Sequence, residues 1–308
     1  MHKKIAVLPA AGLGDALLMM IASHHFRQRG CEVTTFHATF SELSTWFPGH
    51  LFAPKPLRNH LVDTLKEFDS IIVENDNSST ITLLRQAFPT QLSVFYPTYS
   101  LDKHGSLSSE DQVFNPTLPM ASNIARATAI LLGEPTLSTS NGITPPNTLI
   151  HRKERHRVLI HPSSRNPQKN WLPERFIELA HHLASQKYQP VFSVSPDERR
   201  DWMWVEEEGY ELPLFSSLDQ LAEYVYESGY VIGNDSVTGH LGSNLNIPTL
   251  IIANDRRRMQ LWRPGWLQGK LVLPPRWIPN FKWMRWRENQ WQRWITVNSV
   301  LKAFKNLS

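Results

Sequence analysis

Apolar and polar positions along the chain fall into two successive series of short strand-like runs separated by stretches of helical period. In the first series, residues 4–10, 33–38, 70–74 and 92–96 are runs of apolar and β-branched residues. Between the first two, residues 15–29 place Leu17, Leu18, Ile21, Ala22 and Phe26 at helical spacing. The second series predicts strands at 157–161, 190–195, 230–233 and 248–253, with helices at 173–186, 218–228 and 238–245. Strands alternating with helices predict an α/β protein with parallel sheets covered on both faces, and two such series predict two Rossmann-like domains. Residues 138–157, rich in Ser, Thr and Pro and then in charge, read as a linker. We place the boundary near 150, giving domains 1–150 and 151–308. The polar segment 98–119 reads as a mobile or acceptor-facing loop. Residues 290–307 carry Trp291, Trp294, Ile295, Leu301 and Phe304, the pattern of an amphipathic helix packed on the body or on lipid.

Composition narrows the setting. No apolar run approaches the roughly 20 residues of a membrane span. The start of the chain has no signal-peptide core, so the expected location is the cytoplasm. A single Cys31 can form no internal disulfide. The net charge of +4 conceals an asymmetry: residues 256–308 hold 12 Lys/Arg and one acid, Glu288, while the other 255 residues carry a balance of −7. The same tail holds seven of the eleven tryptophans, among them Trp262, Trp266, Trp277, Trp283 and Trp286, interleaved with Arg263, Arg276, Lys282, Arg285, Arg287 and Arg293. Mixed Trp and Arg suit interior packing, an anionic lipid surface, or stacking on a base or sugar. No nucleic-acid motif accompanies the charge, so nucleic acid is not an expected partner.

Ligands of doubly wound sheets sit at the carboxyl ends of strands, which directs attention to the turns after them. After the first strand comes Gly12-Leu13-Gly14-Asp15, where Asp15 is either a dipole-favoured first-turn acid or a general base. After the strand ending at His161, Ser163, Ser164 and Lys169 make a candidate diphosphate clamp. After the strand 230–233, Asp235, Ser236, Val237, Thr238, Gly239 and His240 crowd a turn that opens a helix. Free backbone N–H groups at such a helix start attract an anion, and the alternative is a plain capped turn. A dinucleotide fingerprint would need glycine at Leu17 and an acid where Phe36 and His37 end the second strand. Walker-type phosphate loops, zinc spacings and a G-x-S-x-G elbow do not occur in the sequence. The pairs His24-His25 and His181-His182 sit at adjacent helical positions, which share no face, and read as surface or packing residues.

In this order the motifs resemble glycosyltransferase family 9, the ADP-heptose:lipopolysaccharide heptosyltransferases. The resemblance rests on Gly12-Leu13-Gly14-Asp15, on Lys169-Asn170-Trp171-Leu172-Pro173-Glu174, on Asp235-Ser236-Val237-Thr238-Gly239-His240-Leu241 and on Pro248-Thr249, spanning residues 4 to about 255. It implies a GT-B fold, two Rossmann-like domains with parallel sheets facing across a cleft, and inverting transfer with neither metal nor cofactor. Asp15 would be the general base, with Gly12, Leu13 and Gly14 on the acceptor side. Lys169, with Ser163 or Ser164, and the turn from Asp235 to His240 would hold the donor diphosphate. Glu198 would lie near the ribose. ADP-heptose is the implied donor and a lipopolysaccharide core or similar glycolipid the implied acceptor. The basic tail would then rest on the anionic inner face of the cytoplasmic membrane.

The chain departs from the family at Val237, where the family has glycine, and at Arg256, Arg257 and Arg258, where it has a Gly-Pro-Thr-acid loop. A positive φ at 237 would require the turn to be rearranged. Two other readings stay open at this point. One is a UDP- or GDP-sugar transferase or epimerase of the same fold, and the other is a non-catalytic protein binding sugar nucleotides or glycolipids.

Overall fold

Runs rich in Val and Ile bury both faces of a strand, which favours parallel sheets flanked by helices. In the computed structural model, which describes residues 2–164, 166–280, 283 and 285–307, such runs build two compact units, 1–144 and 145–308. Arg165 of the loop after His161 and Lys282 of the basic tail lie outside the described residues.

The first unit holds a six-stranded parallel sheet in the order β3-β2-β1-β4-β5-β6. Its strands are β1 (Lys4–Leu8), β2 (Glu32–Phe36), β3 (Leu51–Ala53), β4 (Ser70–Glu74), β5 (Leu92–Tyr96) and β6 (Gln112–Val113). Its longest helices are α1 (Leu13–Gln28), α2 (Thr80–Ala87) and α3 (Met120–Leu132), with α1 packed on α3. The second unit holds a five-stranded parallel sheet in the order β11-β10-β9-β7-β8. These are β7 (Glu154–His161), β8 (Gln189–Phe192), β9 (Ser228–Asn234), β10 (Thr249–Ile252) and β11 (Lys270–Val272). Its main helices are α4 (Pro173–Ser185), α5 (Leu218–Glu227), α6 (Val237–Asn244), α7 (Arg256–Trp262) and α8 (Val297–Phe304).

Strand order reverses once in each sheet, between β1 and β4 and between β7 and β9. Connections leave in opposite directions there, opening a crevice at the carboxyl ends of the paired strands. Register puts Leu8 beside Val73 in the first sheet and His161 beside Gly233 in the second. The α6 helix reaches the second of these points because Gly242 lets it lie close on the sheet; a Cβ there would sit 2.8 Å from Thr249 Oγ1 and 3.0 Å from Val231 Cγ2.

Two expectations need correction. The stretch 290–307 is not one amphipathic helix but a short turn, Trp291–Trp294, and then α8. The break falls at Ile295, whose backbone is extended, because Thr296 caps α8 through its Oγ1 and the Ser299 N–H. Val297, Val300, Leu301 and Phe304 lie in the core of the second unit, so this apolar face is spent on protein rather than lipid. The segment 98–119, read as mobile or acceptor-facing, is anchored by Asp111. Its buried carboxylate accepts from Arg85 at 2.5 Å, from the Val94 N–H at 3.0 Å and from the Ser108 N–H at 2.8 Å. No helix among the described residues is long and apolar enough to cross a membrane.

Trp171 ties the tail to the core. It is 1% exposed, meets Phe176 edge-on at 5.0 Å, and donates its indole N–H to the carbonyls of Gln292 and Ile295, both at 3.1 Å. Trp171→Ala is expected to destabilise the protein by about 3–5 kcal/mol. Trp277→Ala, at a residue 77% exposed, should stay within about 0.5 kcal/mol. Chemical denaturation of both variants checks the contrast.

Candidate functional site

The reversal between β7 and β9 gathers most of the residues singled out in the second unit. Asn234 ends β9 fully buried, and its side-chain carboxamide joins two loops. Its Nδ2 donates to the Pro162 carbonyl at 2.6 Å, and its Oδ1 accepts the Trp171 N–H at 3.0 Å. The turn after β7 is thereby fixed to the loop carrying Lys169. Sequence reasoning gave Asn234 no role, although a polar residue closing an apolar strand was the available signal.

Ser163 and Glu198 are brought together: the Ser163 hydroxyl donates to Glu198 Oε2 at 2.9 Å. The same oxygen accepts the Ser195 N–H at 3.2 Å and its hydroxyl at 2.7 Å, a capping box that fixes the carboxylate. Ser164 turns the other way, donating to Asn170 Oδ1 at 2.7 Å and to the Asn166 carbonyl at 3.1 Å. Lys169 is half-buried and closes the single 3-10 turn Pro167–Lys169. Thus Ser163 and Glu198 form one cluster, Ser164 and the Asn170 loop another, and Asn234 connects the strands beneath both.

After β9 the chain turns through Asp235 and Ser236 into α6. Ser236 is the N-cap residue with φ −147°, and Val237 begins the helix with a negative φ. No left-handed backbone is required at 237, so valine fits where the family has glycine. Three side-chain atoms at this helix start are buried without a hydrogen-bond partner among the described residues: Ser236 Oγ, Thr238 Oγ1 and His240 Nδ1. Burial holds the His240 pKa below the ordinary histidine value, outweighing the opposing pull of Asp235, so its imidazole is neutral near pH 7. Trp266 meets that ring edge-on at 6.4 Å. Asp235 is mostly buried and bonded by Arg258 Nε at 3.3 Å, and Arg258 also lies 5.2 Å over the Trp262 ring. One arginine of the departing triplet is therefore an internal counter-ion. Asp255 caps α7 by accepting the N–H groups of Arg257 at 2.8 Å and Arg258 at 3.2 Å.

Three unsatisfied polar atoms beside the free N–H groups of a helix start leave unused hydrogen-bonding capacity that suits an anion with several oxygens. Leaving such groups unpaired costs about 1–3 kcal/mol each, which a bound anion would offset. His161, at the end of β7, adds a fourth buried atom of this kind, Nδ1, and burial lowers its pKa as well.

In the first unit, Asp15 lies in the first turn of α1, with Gly12 as N-cap and Leu13 and Gly14 opening the helix. A Cβ at Gly12 would collide with the Asp15 carboxylate, so the glycine keeps that space open. Across the strand reversal Glu74 ends β4. It is 2% exposed, accepts the Ala10 N–H at 3.1 Å through Oε2, and has no hydrogen-bond partner for Oε1. Burial first, and the nearby Asp15 charge second, push its pKa well above the ordinary carboxylate range. The pattern along β4 marked Glu74 only as a strand end, although an acid after Ile71-Ile72-Val73 was a visible anomaly.

Glu74 makes stability depend on pH. Its folded pKa is raised, so the unfolded chain gives up this proton first as pH rises past about 4.5. The group's contribution is fully present below that pH and is lost as pH climbs towards the raised folded value. Glu74→Gln is expected to remove this fall. Its Tm should exceed that of the unaltered protein by a margin that grows from pH 4.5 to pH 8, as thermal unfolding across that range will show.

Solved structures with this fold cover nearly the whole chain. Heptosyltransferase WaaC of E. coli, solved with ADP, has a TM-score of 0.74 at 14% identity over 99% of this chain and 100% of its own. The E. coli ADP-heptose lipopolysaccharide heptosyltransferase II has a TM-score of 0.71 at 18% identity over 99% and 98%. A family 9 glycosyltransferase from Veillonella parvula has a TM-score of 0.71 at 16% identity over 99% and 97%. At these identities the likeness shows the GT-B type fold. No curated protein matches the sequence. The model of glycosyltransferase family 9 (heptosyltransferase) matches residues 78–264, more than half of the chain, and the chain belongs to that family of glycosyltransferases.

Proposed function

We propose that the protein moves heptose from ADP-heptose to a hydroxyl of a lipopolysaccharide core or related glycolipid, with inversion at the anomeric carbon. The observation that carries this reading is the trio of unpartnered atoms, Ser236 Oγ, Thr238 Oγ1 and His240 Nδ1, at the start of α6. It suits a diphosphate, and E. coli WaaC has been solved with ADP and with ADP-2-deoxy-2-fluoro heptose. In this reading the second unit, residues 145–308, takes the donor and the first, residues 1–144, the acceptor.

The diphosphate docks against the backbone of Val237, Thr238 and Gly239, with neutral His240 donating from Nδ1 and Lys169 supplying positive charge. Ser163 already donates to Glu198, so its task is to aim that carboxylate at the ribose hydroxyls rather than to hold phosphate. Ser164, engaged with Asn166 and Asn170, shapes the loop that presents Lys169. Arg256, Arg257 and Arg258 sit in the first turn of α7, where cations oppose the helix dipole at roughly 0.3–1 kcal/mol each. An anionic substrate in front of that turn would reverse the sign.

Asp15 acts as general base, with the Gly12–Gly14 turn beside the acceptor. The acceptor oxygen forms a bond to the anomeric carbon as the bond from that carbon to the phosphate oxygen breaks. The bonding pair leaves on ADP and the hydroxyl proton passes to Asp15. The raised pKa of Glu74 favours its protonated form, which keeps a second negative charge away from Asp15.

The exposed part of the basic tail supports a membrane location for this acceptor chemistry. Trp277, Trp283 and Trp286 are 77%, 95% and 49% exposed, beside exposed Arg276 and Arg285. Indole rings flanked by cations suit the headgroup zone of an anionic leaflet, so the enzyme works at the inner face of the cytoplasmic membrane.

Two measurements test the proposal. ADP-heptose should raise the Tm, whereas UDP- and GDP-sugars should leave it unchanged. Asp15→Asn should retain the ADP-heptose shift and lose about 10²–10⁴ in kcat. A larger shift with UDP- or GDP-sugars would replace the donor, and undiminished turnover in Asp15→Asn would remove the base. A protein with normal donor binding and no turnover at all would be a binding module. Separately, the triple variant Trp277→Ala/Trp283→Ala/Trp286→Ala should no longer co-sediment with phosphatidylglycerol vesicles, and unchanged sedimentation sinks the membrane assignment.

A further inference from the structure

At the amino-terminal edge of the second sheet lies a cavity of about 530 Å³ lined by His151, Arg152, Arg155, His156, Tyr188 and Tyr230. The proposed donor residues occupy the opposite edge. From Glu154 to His161 strand β7 rises roughly 20 Å, so one phosphate cannot touch both places.

The backbone around this cavity is shaped for it in three ways. Arg152 has φ +54°, a left-handed conformation that a non-glycine residue holds only where its surroundings enforce it. Its N–H is fixed to the Tyr226 carbonyl at 2.9 Å, and its guanidinium stands 5.3 Å from the Tyr230 ring centre. The register of β7 against β9 then slips. Glu154 pairs with Ser228 and Val158 with Tyr230, so Arg155, His156 and Arg157 bulge opposite the single residue Gly229. Bulges of this kind re-aim side chains. Gly229 is required beneath the bulge, since a Cβ there would run into the Arg155 carbonyl.

Charge is left uncompensated at the rim. The lining contains two arginines and two histidines and no carboxylate. Neither Arg152 nor Arg155 forms an ion pair among the described residues, and Arg152 Nε is buried without a partner. Glu227 on α5 accepts the Ile150 N–H at 3.3 Å. The floor is aromatic and rigid: Tyr188 and Tyr230 meet edge-to-face at 5.7 Å, and both rest on Phe304 of α8, at 5.0 and 4.9 Å.

From this arrangement we propose a second anion site, independent of the donor site, that binds a phosphate ester between Arg152 and Arg155 with the rest of the ligand over Tyr188 and Tyr230. Guanidinium forks match the phosphate oxygens, and the aromatic floor covers an apolar or sugar portion. The phosphate has two chemically equivalent sources, a soluble phosphate ester or a lipid headgroup.

The test uses the full chain carrying Lys169→Ala and His240→Ala, so that the proposed donor site is weakened. Inorganic pyrophosphate, titrated calorimetrically at low salt, should still bind this protein, and adding Arg152→Gln/Arg155→Gln should weaken binding about tenfold or more. Arg155→Glu alone alters only an exposed side chain and should give the same direction of change with an unaltered Tm. If Arg155→Glu and the double glutamine variant both bind pyrophosphate as tightly as their parent, or the parent does not bind it, the site does not exist. Sedimentation with phosphatidic acid vesicles separates the sources. A loss on Arg155→Glu identifies a lipid headgroup, and a loss confined to pyrophosphate identifies a soluble ester. Failure of the donor reading is seen separately, as no ADP-heptose shift in a chain whose pyrophosphate binding still responds to Arg155→Glu.

Discussion

The carboxamide of Asn234 is the contact on which the second unit's loops depend. Parallel strands end in bare carbonyls and N–H groups, and at a strand reversal the loops on either side diverge with nothing between them. A buried amide can both donate and accept, so Asn234 satisfies the Pro162 carbonyl and the Trp171 N–H at once. One side chain thereby sets the height of the turn bearing Ser163 and of the loop bearing Lys169. Trp171 extends the constraint, because its indole closes on the carbonyls of Gln292 and Ile295. An apolar residue at 234 would leave two buried backbone groups unpaired, at about 1–3 kcal/mol each, and would release both loops.

Electrostatics at the two strand reversals run in opposite senses. In the first unit two carboxyl groups, half-buried Asp15 and buried Glu74, lie near each other, and burial followed by the Asp15 charge pushes the Glu74 pKa well above the ordinary carboxylate range. In the second, the local acid Asp235 is neutralised by Arg258, and the buried imidazoles of His161 and His240 are held neutral. A neutral imidazole donates a hydrogen bond to a phosphate without carrying a charge that would have to be desolvated when the site is empty. In the proposed donor site, positive charge would come instead from groups nearer the surface, Lys169 and the exposed Arg256 and Arg257, while Arg258 stays with Asp235.

The strands with four or more residues and strong β-branched content were legible in the sequence, as were α1, α4, α5 and α6, because each repeats its period several times. The strands β3, β6 and β11 have three, two and three residues, too few for any period to show. They exist because a neighbouring strand offers them a paired edge, which is a tertiary fact. The same distinction separates the candidate site residues. Asp15, Lys169 and the turn from Asp235 to His240 announce themselves by type and local spacing. Asn234 and Glu74 do not, because what matters in each is burial and a partner 63 or more residues away in sequence. Val237 shows the converse, a local departure that the backbone absorbs without strain since the residue simply begins a helix.

The tail shows how one composition divides into two roles. Trp291 is 2% exposed and gives its indole N–H to the Gln168 carbonyl, one residue before Lys169, whereas Trp283 is 95% exposed. Both are tryptophans among arginines, and no window of sequence distinguishes them. What distinguishes them is whether a carbonyl from a distant loop lies within reach of the ring nitrogen. Trp171 and Trp291 exchange such contacts in both directions, one anchoring the tail and the other the loop, so the structural half of the tail fixes the Lys169 loop from behind. The exposed half is then free to meet a surface without disturbing that loop. A single basic, aromatic segment can therefore brace a loop with one set of indoles and leave another set exposed.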